Sequence, residues 1–313
     1  MADPCIALDA VTKRFGDYLA VDGLSFTVPR GLICGFLGPN GAGKTTSVRM
    51  MLDIIRPDSG AITILGRPST EQQRERFGYL PEEKGLYKKM TTREVIAYLA
   101  ALKGMPHGDA LRRADALLER YGLGANKRSK IEELSKGMSQ KVQVLATIAH
   151  DPELVILDEP FSGLDPVNQQ TLETLILDLK AGGATILFST HVMQHAERLC
   201  DHIILMARGR KVFDGTVSGA RGLLPPRIRL RSDTALAVER FSSFGKAQMN
   251  GNGSENEIEI ALGSGAAPRD VLKACLDSGV ALSHFAVEEP SLHDVFVHLV
   301  GRQAAGIVPE ARP

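Results

Sequence analysis

Residues 31–50 read GLICGFLGPNGAGKTTSVRM, and the middle of that stretch decides the fold. Gly31 to Leu37 is an apolar run of strand length, and from Gly43 to Asp53 the pattern turns helical. Between them Gly38-Pro39-Asn40-Gly41-Ala42-Gly43-Lys44-Thr45-Thr46 matches G-x-x-x-x-G-K-[ST], set after a strand and opening a helix. The residue types explain the chemistry. Glycines let backbone N–H groups close on phosphate oxygens, and the helix N-terminus adds positive potential. Lys44 is placed to reach β- and γ-phosphates, Thr45 to ligate Mg²⁺ and Thr46 to contact a nearer phosphate. A glycine-rich turn with a stray lysine is the bland alternative, and the flanking elements weigh against it.

Further on, Leu154-Val155-Ile156-Leu157-Asp158-Glu159 is an apolar run ending in two carboxylates, where ligands gather at the C-terminal ends of parallel strands. Asp158 fits a Mg²⁺ ligand, and Glu159 a general base that polarises an attacking water. Alone the pair is an acidic turn; downstream of a phosphate loop it is a second half-site. ELSKGMSQ, residues 133–140, reads as the start of a helix, yet Ser135 and Gly137 grip anions better than a cap requires. That stretch cannot be settled in isolation.

To about Thr216, short β-like runs alternate with helical patterns, predicting an α/β domain on a largely parallel sheet. Ala184 to Ser189 and His202 to Met206 supply further apolar strands, and Pro166 to Lys180 a helix with Leu172, Leu175, Ile176 and Leu179 on one face. Residues 1–28 alternate as an antiparallel sheet at one side would. Residues 84–150 form a helical subdomain, opened by a Thr91/Glu94 capping box. The expected domain spans 1–218, with a Gly/Pro-rich linker at 219–226. Residues 227–313 form a small α+β domain. In it we expect strand 227–231, helix 234–244, strands 246–250 and 256–262, helix 268–279, strand 281–288 and a last helix from Ser291 to Val300. Asn250 to Ser254 is the turn between the middle strands, and β-α-β-β-α-β is the ferredoxin-like order.

Lys+Arg and Asp+Glu both total 37, so no global basic field recruits nucleic acid or anionic lipid. Cys5, Cys34, Cys200 and Cys275 form no C-x-x-C pair and read as buried reduced thiols. The N-terminus lacks a signal-peptide pattern, and no apolar run approaches the roughly 18 residues that span a bilayer.

The phosphate loop, ELSKGMSQ, LVILDEP, Phe161-Ser162-Gly163-Leu164-Asp165 and Ser189-Thr190-His191 resemble, in order and approximate spacing, the ATP-binding cassette (ABC) ATPases. The likeness covers roughly residues 5–215. It implies the P-loop ABC fold, with an antiparallel β subdomain and a helical subdomain. It also implies ATP and Mg²⁺ as cofactors, and hydrolysis catalysed through Lys44, Glu159 and His191. Ser135 and Gly137 match the signature motif that closes on the partner's γ-phosphate, and Asp165 the loop residue that couples the two sites. Asp165 also suits an N-cap before Pro166. His191 resembles the switch histidine, and Phe15 the aromatic that stacks on adenine. The signature departs from the commoner L-S-G-G-Q at Lys136 and Met138, and Glu82 in Tyr79-Leu80-Pro81-Glu82-Glu83 replaces a usual glutamine. Glu82 can still ligate Mg²⁺, but it adds negative charge beside the γ-phosphate.

These variants, with PEEKGLY and PSLHDVFVHLVG, look like the ATP-binding subunits of ABC-2-type exporters, similar to the sodium-efflux ATPases. The expected partners are a multi-span permease subunit and a second copy of the chain, with no nucleic acid. The expected place is the cytoplasmic face of the plasma (inner) membrane, peripherally. Two alternatives are a soluble ABC-type ATPase acting on nucleic acid or ribosomes, and a nucleotide-gated regulatory module. The tail reads more readily as a packing or dimer-supporting module than as a ligand sensor.

Overall fold

The computed structural model describes residues 3–69, 75–83, 85–233, 236–249, 256–263 and 265–304. The chain folds into two units, Met1–Val217 and Ser218–Glu310.

The first unit holds two sheets and a helical segment. An antiparallel sheet is built from β1 (Ile6–Phe15), β2 (Tyr18–Val28), β4 (Ser59–Ile64) and β5 (Arg67–Pro68). Its order is β2-β1-β4-β5. The alternation of residues 1–28 has its cause here: Ile6, Leu8, Val21, Leu24, Phe26 and Val28 turn inward from paired strands. The second sheet is built from β3 (Ile33–Leu37), β6 (Phe77–Leu80), β7 (Leu154–Asp158), β8 (Thr185–Thr190), β9 (His202–Ala207) and β10 (Arg210–Gly215). Its order is β10-β9-β3-β8-β7-β6. All neighbours from β9 to β6 are parallel, and β10 closes one edge antiparallel. β3 and β7 are buried at every position, as strands covered on both faces must be.

Helix α1 (Lys44–Met51) follows β3 directly. Thr91 caps α2 (Thr92–Leu102) with the full capping box: Glu94 N–H donates to Thr91 Oγ1 at 3.2 Å and Thr91 N–H to Glu94 Oε2 at 2.9 Å. Helix α3 (His107–Arg120) and α4 (Lys136–Ile148) pack with α2 around Val95, Ile96, Ala114, Leu118 and Leu145. Helix α5 (Pro166–Ala181) is capped by Asp165, whose carboxylate accepts from Asn168 N–H at 2.9 Å, with Pro166 in its first turn. Helix α6 (Met193–Leu199) lies between β8 and β9 in the chain.

Helix α7 (Val217–Arg221) leads into the second unit. The strands of that unit are β11 (Arg227–Ser232), β12 (Gly245–Met249), β13 (Glu257–Leu262) and β14 (Leu282–Glu288), all antiparallel in the order β12-β13-β11-β14. Ile228 and Leu230 turn inward, onto a core shared with Ile258, Ile260, Phe241, Val271 and Cys275. Arg227, Arg229 and Arg231 turn the other way and pair with Glu259, Glu288 and Glu257 across the strands. Helices α8 (Pro268–Asp277) and α9 (Leu292–Ala304) follow the expected spans within a few residues.

One element differs. Where helix 234–244 is expected, the described residues carry a 3₁₀ turn over Val238–Phe241. Val238, Phe241 and Phe244 all pack on the same core, and an i, i+3 repeat eclipses in 3₁₀ geometry but drifts off one face of an α-helix. The Asn250–Ser254 turn lies outside the described residues. None of the described helices is long and apolar enough to cross a membrane.

Candidate functional site

Four neighbouring parallel strands end on one edge of the central sheet, and each delivers functional groups there. The phosphate loop leaves β3, Glu82 follows β6, Asp158 and Glu159 end β7, and Ser189, Thr190 and His191 end β8. Register makes them neighbours: Leu37 pairs with Thr190, and Asp158 with Ser189. A cleft of about 430 Å³ opens over this edge. Asn40, Gly41, Ala42, Gly43, Lys44, Thr45, Thr46, Glu82, Glu159 and His191 all line it.

Packing holds the loop as tightly as its own turn does. A Cβ on Gly38 would stand 2.3 Å from the Met206 carbonyl oxygen of β9, so only glycine lets the loop sit this close. Lys44 is 6% exposed, and its ammonium donates to Gly38 O at 2.6 Å and Pro39 O at 3.2 Å. Burial pushes its pKa down, opposed by the charges of Glu159, Asp158 and Glu82.

Asp158 is 2% exposed. The hydroxyl of Ser189 donates to its Oδ1, and Thr45 hydrogen-bonds to it as well. Burial pushes this carboxyl above the ordinary range, and the neighbouring Glu159 adds to the rise. A buried carboxylate beside a threonine hydroxyl is a hard-oxygen pair that a small divalent cation would relieve of that charge penalty. Among the described residues no group of three or more His, Cys, Asp and Glu gathers into a metal cage. The donor set therefore fits an ion that takes most of its ligands from water and substrate phosphates, as Mg²⁺ does.

Glu159 is fixed from both sides. Its Oε1 lies 2.8 Å from His191 Nδ1, and its Oε2 accepts from Thr190 Oγ1 at 3.1 Å. Its backbone has φ 47, and its N–H donates to Ser189 O at 3.1 Å. A sharp left-handed turn thus aims the carboxylate out of the strand and into the cleft.

Ser135, Gly137 and Asp165 are not among the residues lining that cleft. They gather at the facing N-termini of α4 and α5. Ser135 caps α4, accepting from Met138 N–H at 3.2 Å. A Cβ on Gly137 would stand 2.5 Å from Asn168 Nδ2, and that same nitrogen donates to Asp165 Oδ2 at 2.6 Å. Asn168 therefore joins the two motifs within one chain. The low pKa of Asp165 follows from its bonds to Asn168.

Phe15 ends β1, is 49% exposed, carries the Lys13 ammonium 5.6 Å from its ring centre and does not line the cleft. Tyr18, opposite it in the hairpin and 59% exposed, does; its hydroxyl donates to Gly41 O at 3.3 Å. Sequence reasoning overlooked Tyr18. An exposed aromatic three residues past Phe15, across a tight turn, was the available signal. It also overlooked Ser189 and Thr190 as partners of the two carboxylates. Their types are unremarkable in a strand, and only the pairing of β7 with β8 places them.

Comparison with known proteins agrees with this geometry. The ABC transporter family matches residues 21–162, and the ATP-binding protein DrrA1-3-like C-terminal domain matches residues 225–300. The chain is 40% identical to the uncharacterized ABC transporter ATP-binding protein YhaQ of Bacillus subtilis, over 95% of this chain and 98% of that one. It is 31% identical to the daunorubicin resistance ATP-binding protein DrrA3 of Streptomyces coeruleorubidus, over 96% and 97%. It is 35% identical to the Nod factor export ATP-binding protein I of Burkholderia lata, over 94% and 96%. Among solved structures, the ATP-binding subunit of an ABC transporter superposes with a TM-score of 0.65 at 33% identity, covering 70% of this chain and 92% of that one.

Proposed function

The chain belongs to the ABC transporter ATP-binding proteins, and from that premise we propose that it hydrolyses ATP as a dimer to drive export through a separate multi-span membrane subunit. The observation that carries this reading is the convergence of Lys44, Glu159 and His191 from three adjacent strand ends onto one cleft, with the buried Asp158 hydrogen-bonded to the cleft-lining Thr45. Relatives whose names specify drug resistance and Nod factor export support the direction.

The roles follow from position. The backbone N–H groups of residues 40–46 and the N-terminus of α1 receive the phosphates. Lys44 exchanges the Gly38 and Pro39 carbonyls for phosphate oxygens, a stronger charge-assisted bond. Thr45 and Asp158, with Glu82 at the cleft wall, would hold Mg²⁺, which would supply positive charge against the phosphates. Glu159 orients a water and takes its proton as the new O–P bond forms and the bond to the ADP oxygen breaks. His191 and Thr190 fix the carboxylate, so no rotamer search precedes the step. Tyr18 offers an aromatic face beside the loop for the adenine, with Phe15 paired to it across the hairpin. Ser135 and Gly137 meet the ATP held by a second copy of the chain, and Asp165, tied to Gly137 through Asn168, couples the two sites. The protein works peripherally at the cytoplasmic face of the membrane, where the permease holds the substrate pocket.

Glu159→Gln tests the reading. The amide keeps the shape and a partner for Thr190, so ATP·Mg²⁺ should still bind and lock the dimer, while turnover falls by about 10²–10⁴. Retained turnover would remove Glu159 from the role. Capture of the locked variant from detergent-solubilised membranes of its own cell should recover a stoichiometric multi-span protein. Recovery with ribosomes or nucleic acid instead would refute the transport reading.

A further inference from the structure

Lys136 and Glu82, two of the departures from the family's common motifs, line one cleft within a single chain. A second cleft of about 400 Å³ adjoins the first and is lined by Glu82, Glu83, Lys136, Gln140, Glu159 and Ser162. Glu82, Glu159 and Ser162 line both clefts, so they form the wall between them. Three acidic residues and one lysine therefore line the same space.

Lys136 is aimed there by the backbone around it. Its Nζ lies 2.5 Å from where a Cβ on Gly163 would stand, so the side chain lies directly across that glycine. Two amides of the same helix brace the arrangement. Gln140 Nε2 donates to Pro160 O at 3.4 Å, next to Glu159, and Gln143 Nε2 donates to Glu83 O at 3.3 Å. Helix α4 is thereby tied to the loop after β6 and the loop after β7, the two that carry the carboxylates.

The charges give this a purpose. A carboxylate at position 82 repels the γ-phosphate that the cleft is built to hold, and at a few ångströms such repulsion is costly when the space is partly closed to water. A glutamine there would have no such cost. We propose that Lys136 is a positioning residue of its own chain's nucleotide site, laid across Gly163 so that its ammonium offsets the charge of Glu82 and lets the γ-phosphate approach. The lysine thus acts in cis through Glu82, in addition to whatever its motif contributes across a dimer. This rests on the ATP-binding reading given above.

The test is a double-mutant cycle on the full chain, using Lys136→Met, Glu82→Gln and the pair. Binding of fluorescent ATP and ADP is measured with Mg²⁺ at protein concentrations where the chain is monomeric. Lys136→Met should weaken ATP about fivefold and ADP less than twofold, because ADP lacks the γ-phosphate. In the Glu82→Gln background the same change should cost less than twofold, and Lys136→Arg should restore ATP affinity. Lys136 is an exposed residue in the first turn of α4, so the melting temperature serves as a folding control. An equal loss in both backgrounds, or an equal loss for ATP and ADP, would overturn the pairing. Unchanged binding with reduced turnover would assign the lysine to the partner's site and overturn the cis role. Failure of the unaltered chain to bind ATP would sink the ATP-binding reading itself, and this proposal with it.

Discussion

Gly43 and Gly41 stand two residues apart in the phosphate loop, both with left-handed φ (95 and 79), yet their replacement by alanine should have unequal effects. A Cβ on Gly41 meets nothing within 4 Å. Gly41→Ala therefore adds only the cost of a left-handed alanine, about 1 kcal/mol. A Cβ on Gly43 would lie 2.5 Å from the Ala20 carbonyl oxygen of β2, with Val21 Cγ2 at 3.3 Å. The oxygen is backbone and must move by roughly 0.8 Å to reach ordinary contact, which no side-chain rotation can provide. That movement also strains two bonds that fasten β2 and the loop to the β9–β10 turn: Gly209 N–H to Ala42 O at 3.1 Å and Asp22 N–H to Gly209 O at 3.0 Å. Adding about 1 kcal/mol for a weakened bond and about 1 for overpacking gives Gly43→Ala a total near 3 kcal/mol. For a unit of this size that is a fall of about 6–12 °C in melting temperature, against about 2–4 °C for Gly41→Ala. Calorimetry of the full chain resolves this, because ATP should raise the transition of the first unit and so identify it. Gly43→Ala should also weaken ATP at least tenfold, since its N–H and that of Lys44 open the phosphate-facing helix. Equal melting shifts for the two variants, or undiminished ATP affinity in Gly43→Ala, would refute the reasoning from close approach.

Two further outcomes are expected. Ser135→Asp keeps a good N-cap for α4, so stability should change by less than about 0.5 kcal/mol. It also sets a carboxylate against the partner's γ-phosphate, so turnover should drop at least tenfold; full turnover would remove Ser135 from the dimer site. Both ring nitrogens of His150 are shut off from water, and burial, with Lys103's charge beside it, pushes its pKa down to about 4. Below its ordinary value near 6.5 the unfolded chain takes a proton that the folded chain refuses, so stability is complete above that pH and lost as pH falls toward 4. The loss should reach roughly 2–3 kcal/mol, and the profile of His150→Phe should be shallower by about that amount. Parallel pH profiles in denaturant for the two proteins would contradict this.

The phosphate loop was legible because strand, glycine turn and helix are contiguous in the chain, and the bonds from Lys44 to the loop span five or six residues. The same holds for the Thr91 box and the Asp165 cap, whose donors lie three residues away. It holds equally for the alternating Arg and apolar positions of β11, since a period of two is a property of the strand alone. Residues 236–244 depart from the expected helix for a related reason. Apolar spacing shows which residues face inward, but a three-residue repeat serves a 3₁₀ turn as well as part of an α-helix, and the shared core chose the former.

By itself, then, the sequence determined the local pieces and the chemistry each could offer: a phosphate cradle, two carboxylates at a strand end, capped helices and an α+β tail. Strand order was decided only in the tertiary structure. Placing β8 between β3 and β7 sets Ser189 on Asp158, Thr190 and His191 on Glu159, and the loop beside all of them. The same packing laid Lys136 across Gly163 and brought Glu82 to the same wall. These partners are separated by 27 residues or more along the chain, and no periodicity or short motif records such distances. Burial of a twisted sheet on both faces does, because it leaves a single edge where polar groups from neighbouring strands can meet.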